Sequence, residues 1–222
     1  MSVQLIQIIY LISAICFILA LKGLSSPSSA RNGNIIGAIG MGLAIAASFA
    51  LPGFHHKVPI IITIILGGAI GGYIAQKIEM TAMPQLVAGF HSLVGLSAVL
   101  VAYSALLSPE TFGIGMSGSL PKGNLLEMSL GAAIGAITFS GSIIAFGKLQ
   151  GLIASKPLKF QGQQYASIGA LLLIMGLIGY FTRCECHVLF SVIVLLSLAL
   201  GVLLIMPIGG ADMPVVVSML NS

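Results

Sequence analysis

A histidine lies inside the hydrophobic segment that runs from Gln85 to Leu107. Pro84 suits the first turn of a helix, where its missing N–H group costs nothing. At about 1.5 Å per residue, His91 then lies about 10 Å inside a hydrocarbon layer about 30 Å thick. An ionisable side chain at this depth is typical of a proton relay, because imidazole groups titrate near neutral pH. The alternative interpretation is a neutral imidazole that forms a structural hydrogen bond between helices.

Small residues share the helical face of His91. They follow or precede it at spacings of 3, 4, 7 and 11 residues and comprise Ala88, Gly95, Ala98 and Ala102. Such a face lets another helix approach closely or leaves room for water beside the imidazole, although ordinary helix packing would produce the same pattern. GxxxG pairs elsewhere predict close helix crossings in this chain or against a partner subunit, and these are Gly67/Gly71, Gly68/Gly72 and Gly131/Gly135.

The composition defines the class of protein. The chain is 58% hydrophobic and 6% charged, and its mean hydropathy is +1.13. A soluble domain of 222 residues would not tolerate these values, which predict a protein embedded in the lipid bilayer. The 28 glycines and the absence of strand alternation argue against an outer-membrane barrel. The nine basic residues are scattered over short loops, so they indicate membrane topology and no nucleic-acid partner.

Seven segments are long and apolar enough to cross a membrane, and proline, glycine and serine residues separate them. They lie near Val3–Leu21, Asn34–Leu51, Val58–Gln76, Pro84–Leu107, Leu125–Phe146, Tyr165–Phe181 and His187–Met206. The nine residues from Pro214 to Ser222 give only about 14 Å of helix, which is too short to cross. The sequence therefore predicts an all-α polytopic transmembrane helix bundle with seven complete spans and a truncated eighth, with the rest of the functional unit elsewhere.

The basic residues predict the orientation of the chain. If the N-terminus lies outside, six of them fall in inner loops (Lys22, Arg31, Lys77, Lys148, Lys156 and Lys159) and three in outer loops (Lys57, Lys122 and Arg183). Cytoplasmic loops carry an excess of lysine and arginine, so we expect the N-terminus to lie outside. His91 then lies nearer the cytoplasmic side.

The end of the chain resembles the segment that contains His91. Residues Met83–Ser92 align without gaps to Met213–Ser222 with four identities in ten, and His91 aligns with Asn221. Both helices would start from the same side of the membrane. The pattern predicts two parallel helices that present a histidine and an asparagine at one level, as internal repeats do in transporters.

Three further polar residues are candidates. Ser142, near the inner end of the fifth span, has a hydroxyl that could exchange a hydrogen bond with His91; the alternative is a bond to its own helix carbonyl four residues earlier. Glu127 is predicted in the first turn of the fifth span, where it either stabilises the helix N-terminus or takes up protons. Asp212 precedes Pro214 on the inner side, and first-turn electrostatics explains it equally well.

Metal and nucleotide sites have little support in the sequence. Cys184-Glu185-Cys186-His187 contains residue types that bind zinc, but one such sequence in an outer loop lacks the ligand count and spacing of a closed site. No glycine-rich nucleotide-binding motif is present, which indicates that any hydride chemistry is performed outside this chain.

Taken together, these motifs closely resemble the beta subunit of proton-translocating NAD(P) transhydrogenase. The resemblance runs along the whole chain and is carried by Glu79-Met80-Thr81-x-Met83-Pro84, His91-Ser92-x-Val94-Gly95-Leu96, Gly141-Ser142-x-x-Ala145-Phe146-Gly147-Lys148-Leu149 and Gly209-Gly210-Ala211-Asp212-Met213-Pro214 followed by Val215 to Ser222. It departs from the family at Ala82 and Gln85, where carboxylates are expected, so the charge of that inner loop is interpreted as dispensable.

The resemblance implies a function and a set of partners. Residues 1–222 would be an incomplete transmembrane proton-channel domain, coupled to hydride transfer between NAD(H) and NADP(H) on domains absent from this chain. It implies an alpha subunit partner, a homodimer of the complex and the bacterial cytoplasmic (inner) membrane. It implies His91 as the relay histidine, Ser142 and Asn221 as its polar neighbours, Asp212 as an inner-face acid and Glu127 as an outer-end acid. The competing hypotheses are a secondary transporter or channel fragment with a His/Asn site and a non-catalytic packing subunit.

Overall fold

The structure is a computed structural model that describes residues 3–51 and 57–220. In these two ranges the chain forms α-helices, three-residue 3₁₀ turns and loops, without a β-strand. The helices are α1 (Val3–Leu24), α2 (Ala30–Phe49), α3 (Lys57–Lys77), α4 (Met83–Leu107), α5 (Lys122–Leu149), α6 (Gln163–Cys184), α7 (His187–Ile205) and α8 (Met213–Leu220). The 3₁₀ turns are Met80–Ala82 and Gly210–Asp212, and they directly precede α4 and α8.

The described residues contain seven helices that are long and apolar enough to cross a membrane, which confirms the predicted fold class. A helix satisfies all of its own backbone polar groups, so it is the element that a chain of this composition forms in lipid. Several helices are longer than predicted because their polar ends continue the helix beyond the apolar stretch. α5, for example, starts at Lys122 directly after Pro121, three residues before the predicted start.

The chain divides into two compact units, and the first comprises Met1–Lys77. Within it α1 and α2 pack closely. An added Cβ on Gly23 of α1 would lie only 2.6 Å from the Cα of Gly33 in α2. A buried hydroxyl also joins the pair, since Ser13 Oγ donates to Gly40 O at 2.6 Å. None of the residues of α3 is buried.

The second unit comprises Ile78–Ser222, and α5 lies at its centre. α5 packs against α4, α6 and α7, and its buried residues are mainly small ones that allow these close contacts. Large side chains of α6 and α7 fill the core at one end, where Phe181 and Phe190 are fully buried with ring centroids 5.3 Å apart. The candidate residues His91, Ser142 and Asp212 all belong to this unit.

Glycines allow α5 to contact two neighbouring helices through the backbone. An added Cβ on Gly95 of α4 would lie 2.6 Å from Phe139 N and 2.7 Å from Gly135 O of α5. An added Cβ on Gly201 of α7 would overlap Ile137 O of α5 in the same way. Backbones approach this closely where a helix lacks a side chain at the point where its partner's backbone passes.

The predicted GxxxG pairs are only partly used. Gly135 lies at the α4–α5 crossing, whereas an added Cβ on Gly131 would meet no described atom within 4 Å. The same holds for the four glycines of α3, which are Gly67, Gly68, Gly71 and Gly72. Within the described residues these glycines of α3 meet no other helix of the chain, so a close crossing of α3 stays a prediction for a partner subunit.

Candidate functional site

The register between α4 and α5 places His91 relative to α5. The helices run antiparallel, and contacts on either side of His91 pair a residue early in α4 with one late in α5. Gln85 Nε2 donates to Leu149 O at 3.4 Å, and an added Cβ on Gly89 would lie 3.8 Å from the Phe146 ring. On the other side of His91, Gly95 meets Phe139.

These contacts bring His91 and Ser142 to the same level of the bundle. The pairs Gly89–Phe146 and Gly95–Phe139 bracket His91 on α4, and the same pairs bracket Ser142 on α5. His91 is half-buried, whereas Ser142 is only 1% exposed. The structure therefore places at one depth the two polar residues that the sequence predicted to be neighbours.

The hydroxyl of Ser142 lacks a hydrogen-bond partner among the described residues. It bonds neither to its own helix carbonyl, which was the structural alternative, nor to His91. Ser140, two residues earlier, instead donates to Ala136 O at 3.0 Å, as a buried helical serine ordinarily does. A buried unpaired hydroxyl costs on the order of 1–3 kcal/mol. Native structures contain few such groups, and a functional role is one of their explanations.

The end of the bundle next to His91 and Ser142 is closed by a small apolar cluster. Ala88 of α4, Ala145 of α5, Ile205 of α7 and Met213 of α8 are each at most 3% exposed and pack together. Ala88 and Ala145 each lie one helical turn from His91 or Ser142. The first residue of α8 therefore packs directly beneath the level of these two side chains.

The two segments that resemble each other in sequence share a backbone conformation. The residue before each 3₁₀ turn is extended, with φ −75° and ψ 149° at Glu79 and φ −70° and ψ 154° at Gly209. Met83 and Met213, which start the following helices, both donate their N–H groups to the first carbonyl of the turn. This agreement supports an internal repeat. Asn221, the predicted counterpart of His91, lies outside the described residues.

Lys148 is a buried residue that the sequence analysis assigned to an inner loop. The structure corrects that assignment, because α5 continues through Lys148, whose side chain is only 2% exposed. Its ammonium group donates to Met206 O at 2.6 Å, Ile208 O at 2.7 Å and Ile205 O at 3.4 Å. The last carbonyls of a helix lack intrahelical partners, so a cation at the end of α7 is well placed.

Comparison with known proteins decides the family. Residues 6–222 match the model for the NAD(P) transhydrogenase beta subunit. The chain belongs to this family. The NAD(P) transhydrogenase subunit beta of Rhodospirillum rubrum is 54% identical over 222 residues, which are 100% of this chain and 48% of the relative. The subunit of the same name from a defined strain of that species gives the same values. The chain thus spans about half the length of these curated relatives.

The structure places the two candidate acids of this transhydrogenase family member at opposite ends of the second unit. Asp212 is exposed in the 3₁₀ turn that precedes α8. Glu127 is also exposed, but it is the sixth residue of α5, whose first turn contains no acid. The prediction of Glu127 in the first turn is therefore wrong. Fifteen residues of helix separate it from Ser142, or about 22 Å, so the structure does not bring Glu127 to the His91 level.

Glu127 instead lines a cavity of about 430 Å³ between α4 and α5. The wall includes Ser97 and Ala98 of α4, Asn124 of α5, and Phe112 from the loop that joins the two helices. This position is compatible with an acid that exchanges protons with solvent at that end of the bundle.

Gln85, where the sequence departs from the family, forms a hydrogen bond between α4 and α5. Gln85 Nε2 donates to Leu149 O, whereas the carboxylate expected at this position could not donate a hydrogen bond. The amide therefore joins the start of α4 to the last residue of α5 without a charge.

Glu185, the acid in the loop between α6 and α7, has a structural role. Glu185 Oε1 accepts a hydrogen bond from Leu120 N at 2.6 Å, which joins this loop to the residues before α5. Cys184 and Cys186 are exposed free thiols. In the part of the chain that the structure describes, histidine, cysteine and acidic side chains form no group of three that could hold a metal ion.

Proposed function

We propose that this chain is the proton-translocating membrane part of NAD(P) transhydrogenase. It would couple hydride transfer between NAD(H) and NADP(H), bound by other domains of the complex, to proton movement through a pathway centred on His91. One observation carries the proposal: in a chain of this family, a half-buried imidazole lies level with a buried hydroxyl that has no hydrogen-bond partner among the described residues. Family membership favours this function over a secondary transporter fragment.

In the proposed mechanism His91 takes up and releases the proton. Its imidazole changes hydrogen-bond partner between its two protonation states, and Ser142 offers a hydroxyl that can either donate or accept. Asn221 would be a second polar neighbour, and Asp212 the acid at the face where the NADP(H)-binding domain docks. Glu127 would exchange protons at the opposite end.

The proposal includes an orientation and an assembly. The distribution of basic residues supports a multi-pass protein of the bacterial inner membrane whose N-terminus lies outside. The alpha subunit would contribute its own membrane helices and the NAD(H)-binding domain, and two copies of the complex would form a homodimer.

Vesicles that contain the full-length subunit and its alpha partner provide the test. Reduction of an NAD analogue by NADPH and proton movement across the vesicle membrane are recorded together. The proposal expects proton movement in fixed ratio to hydride transfer. Hydride transfer without any proton movement, in vesicles that hold an imposed pH gradient, would contradict it.

The variant Ser142→Ala tests whether the Ser142 hydroxyl has a functional or a structural role. Removal of an unpaired buried hydroxyl should leave the free energy of unfolding unchanged or raise it by up to about 1 kcal/mol. If the hydroxyl serves the proton path, coupled turnover should nevertheless fall on the order of tenfold. Thermal denaturation and the vesicle assay measure the two effects. The matched control is Ser140→Ala, which removes a hydroxyl bonded to its own helix and should retain turnover.

A further inference from the structure

Lys148 has an unusual environment for a lysine at the end of a membrane helix. Such a side chain ordinarily extends toward water, but this one is 2% exposed and turns toward the end of α7. Its partners in the described part of the chain are the carbonyls of Ile205, Met206 and Ile208, and none is a carboxylate. Three acceptors match the three N–H donors of an ammonium group, so the buried charge is fully hydrogen-bonded.

The carbonyls that Lys148 binds lead directly into the turn that contains Asp212. Met206 and Ile208 lie between the end of α7 and Gly209, where the conformation that precedes α8 begins. The residues between Lys148 and α6 bind the same stretch, because Gly210 N donates to Ser155 O at 3.0 Å and Leu158 N donates to Met206 O at 3.2 Å. Lys148 thus lies at the centre of a hydrogen-bonded junction, here called the α7–α8 junction and comprising residues 205–212.

The same helix that carries Lys148 carries Ser142. Six residues separate them, or about 9 Å along α5, and Ala145 between them packs against Met213 at the start of α8. A displacement of the α7–α8 junction would therefore reach the level of Ser142 and His91 through the hydrogen bonds of Lys148 and six residues of α5.

We propose that Lys148 is a positioning residue that holds the α7–α8 junction, and with it Asp212 and the start of α8, in register with Ser142 on α5. This inference rests on the proposed function, in which the Asp212 turn faces the nucleotide-binding domain. The ammonium group transmits the position of that turn to the proton path, and it takes no proton from the path itself.

The test compares Lys148→Met with Lys148→Arg in the full-length complex. Methionine keeps the length of the side chain but removes the donors, whereas arginine keeps a cation with several donors. Lys156→Met, in the exposed loop after α5, is the matched control. Hydrogen exchange is measured at the amides of Ile208, Gly210 and Asp212, all of which are hydrogen-bonded in the structure. The vesicle assay gives the number of protons moved per hydride.

We expect Lys148→Met to increase exchange at these amides about tenfold or more and to lower the number of protons per hydride. Lys148→Arg should restore both values at least in part, and Lys156→Met should change neither. Wild-type exchange and wild-type coupling in Lys148→Met would overturn the proposal. If the wild-type complex itself moves no protons, the proposed function fails, whereas the exchange result still tests the junction.

A second comparison applies if Lys148→Met does not assemble. Lys148→Gln keeps one neutral donor group of shorter reach and is compared with Lys148→Arg by exchange alone. Faster exchange in the glutamine variant than in the arginine variant supports the junction. Equal, wild-type exchange in both variants would overturn it, because the charge would then contribute nothing to the position of the turn.

Discussion

Replacement of His91 by alanine is expected to lower proton-coupled transhydrogenation by about 100-fold or more, with NADP(H) binding retained. A positioned general acid or base typically contributes a factor of this size. The nucleotides bind outside this chain in the proposed function, so the loss should appear in turnover and not in affinity. The measurement is NADPH-driven reduction of an NAD analogue in vesicles, with proton movement recorded in parallel.

Two matched variants distinguish the role of His91 from general damage to the helix. Ser92→Ala alters the adjacent residue, whose hydroxyl donates to Gly89 O of the same helix, and coupling should be retained. His187→Ala removes an exposed imidazole from the start of α7, near Lys122 at the opposite end of α5, and should also be tolerated. Unchanged coupling in His91→Ala would reduce that residue to a packing role and move attention to Ser142, Asn221 and Glu127.

The membrane helices and the position of His91 could be predicted from the sequence because both depend on strong local signals. An apolar stretch of about 20 residues has few alternatives to a membrane helix. A histidine in such a stretch stands out by residue type alone, and its depth follows from counting residues. The antiparallel order of α4 and α5 then brings Ser142 to the same level, which the structure supports through contacts on both sides of the pair.

The role of Lys148 could not be predicted, because it depends on contacts between distant segments. In the sequence Lys148 is one basic residue near a helix end, and such residues usually indicate topology. Its burial becomes apparent only when the end of α7 presents its free carbonyls to the same place. A signal was nevertheless present, since several small residues (Gly141, Ser142, Ala145 and Gly147) precede Lys148 at the end of α5.

The GxxxG pattern identified only part of the helix crossings for a related reason. The spacing shows that a helix is able to pack closely, but it does not show which face finds a neighbour. Gly95 and Gly201 form the two closest crossings with α5, yet neither belongs to a predicted pair. At a crossing it is enough that one helix lacks a side chain where the partner backbone passes.

A large loss of stability is therefore expected for a substitution at Gly95. In Gly95→Ala the new methyl group would lie 2.6 Å from Phe139 N and 2.7 Å from Gly135 O, and neither backbone atom can rotate away. α4 and α5 must separate, at a cost of about 1–3 kcal/mol in the free energy of unfolding. The thermal midpoint of the purified full-length complex should fall accordingly.

The separation also bears on the proposed function, because Gly95 lies one helical turn from His91. Coupled turnover should fall in Gly95→Ala even below the melting temperature, since the imidazole and the Ser142 hydroxyl move apart. Gly131→Ala is the matched control. It adds the same methyl group to α5 at a site where no atom of another described segment lies within 4 Å. The complex with this variant should melt no lower than the wild type. A Gly95→Ala complex with wild-type stability would mean that α4 and α5 do not cross at this residue, and the level shared by His91 and Ser142 would then lose its structural basis.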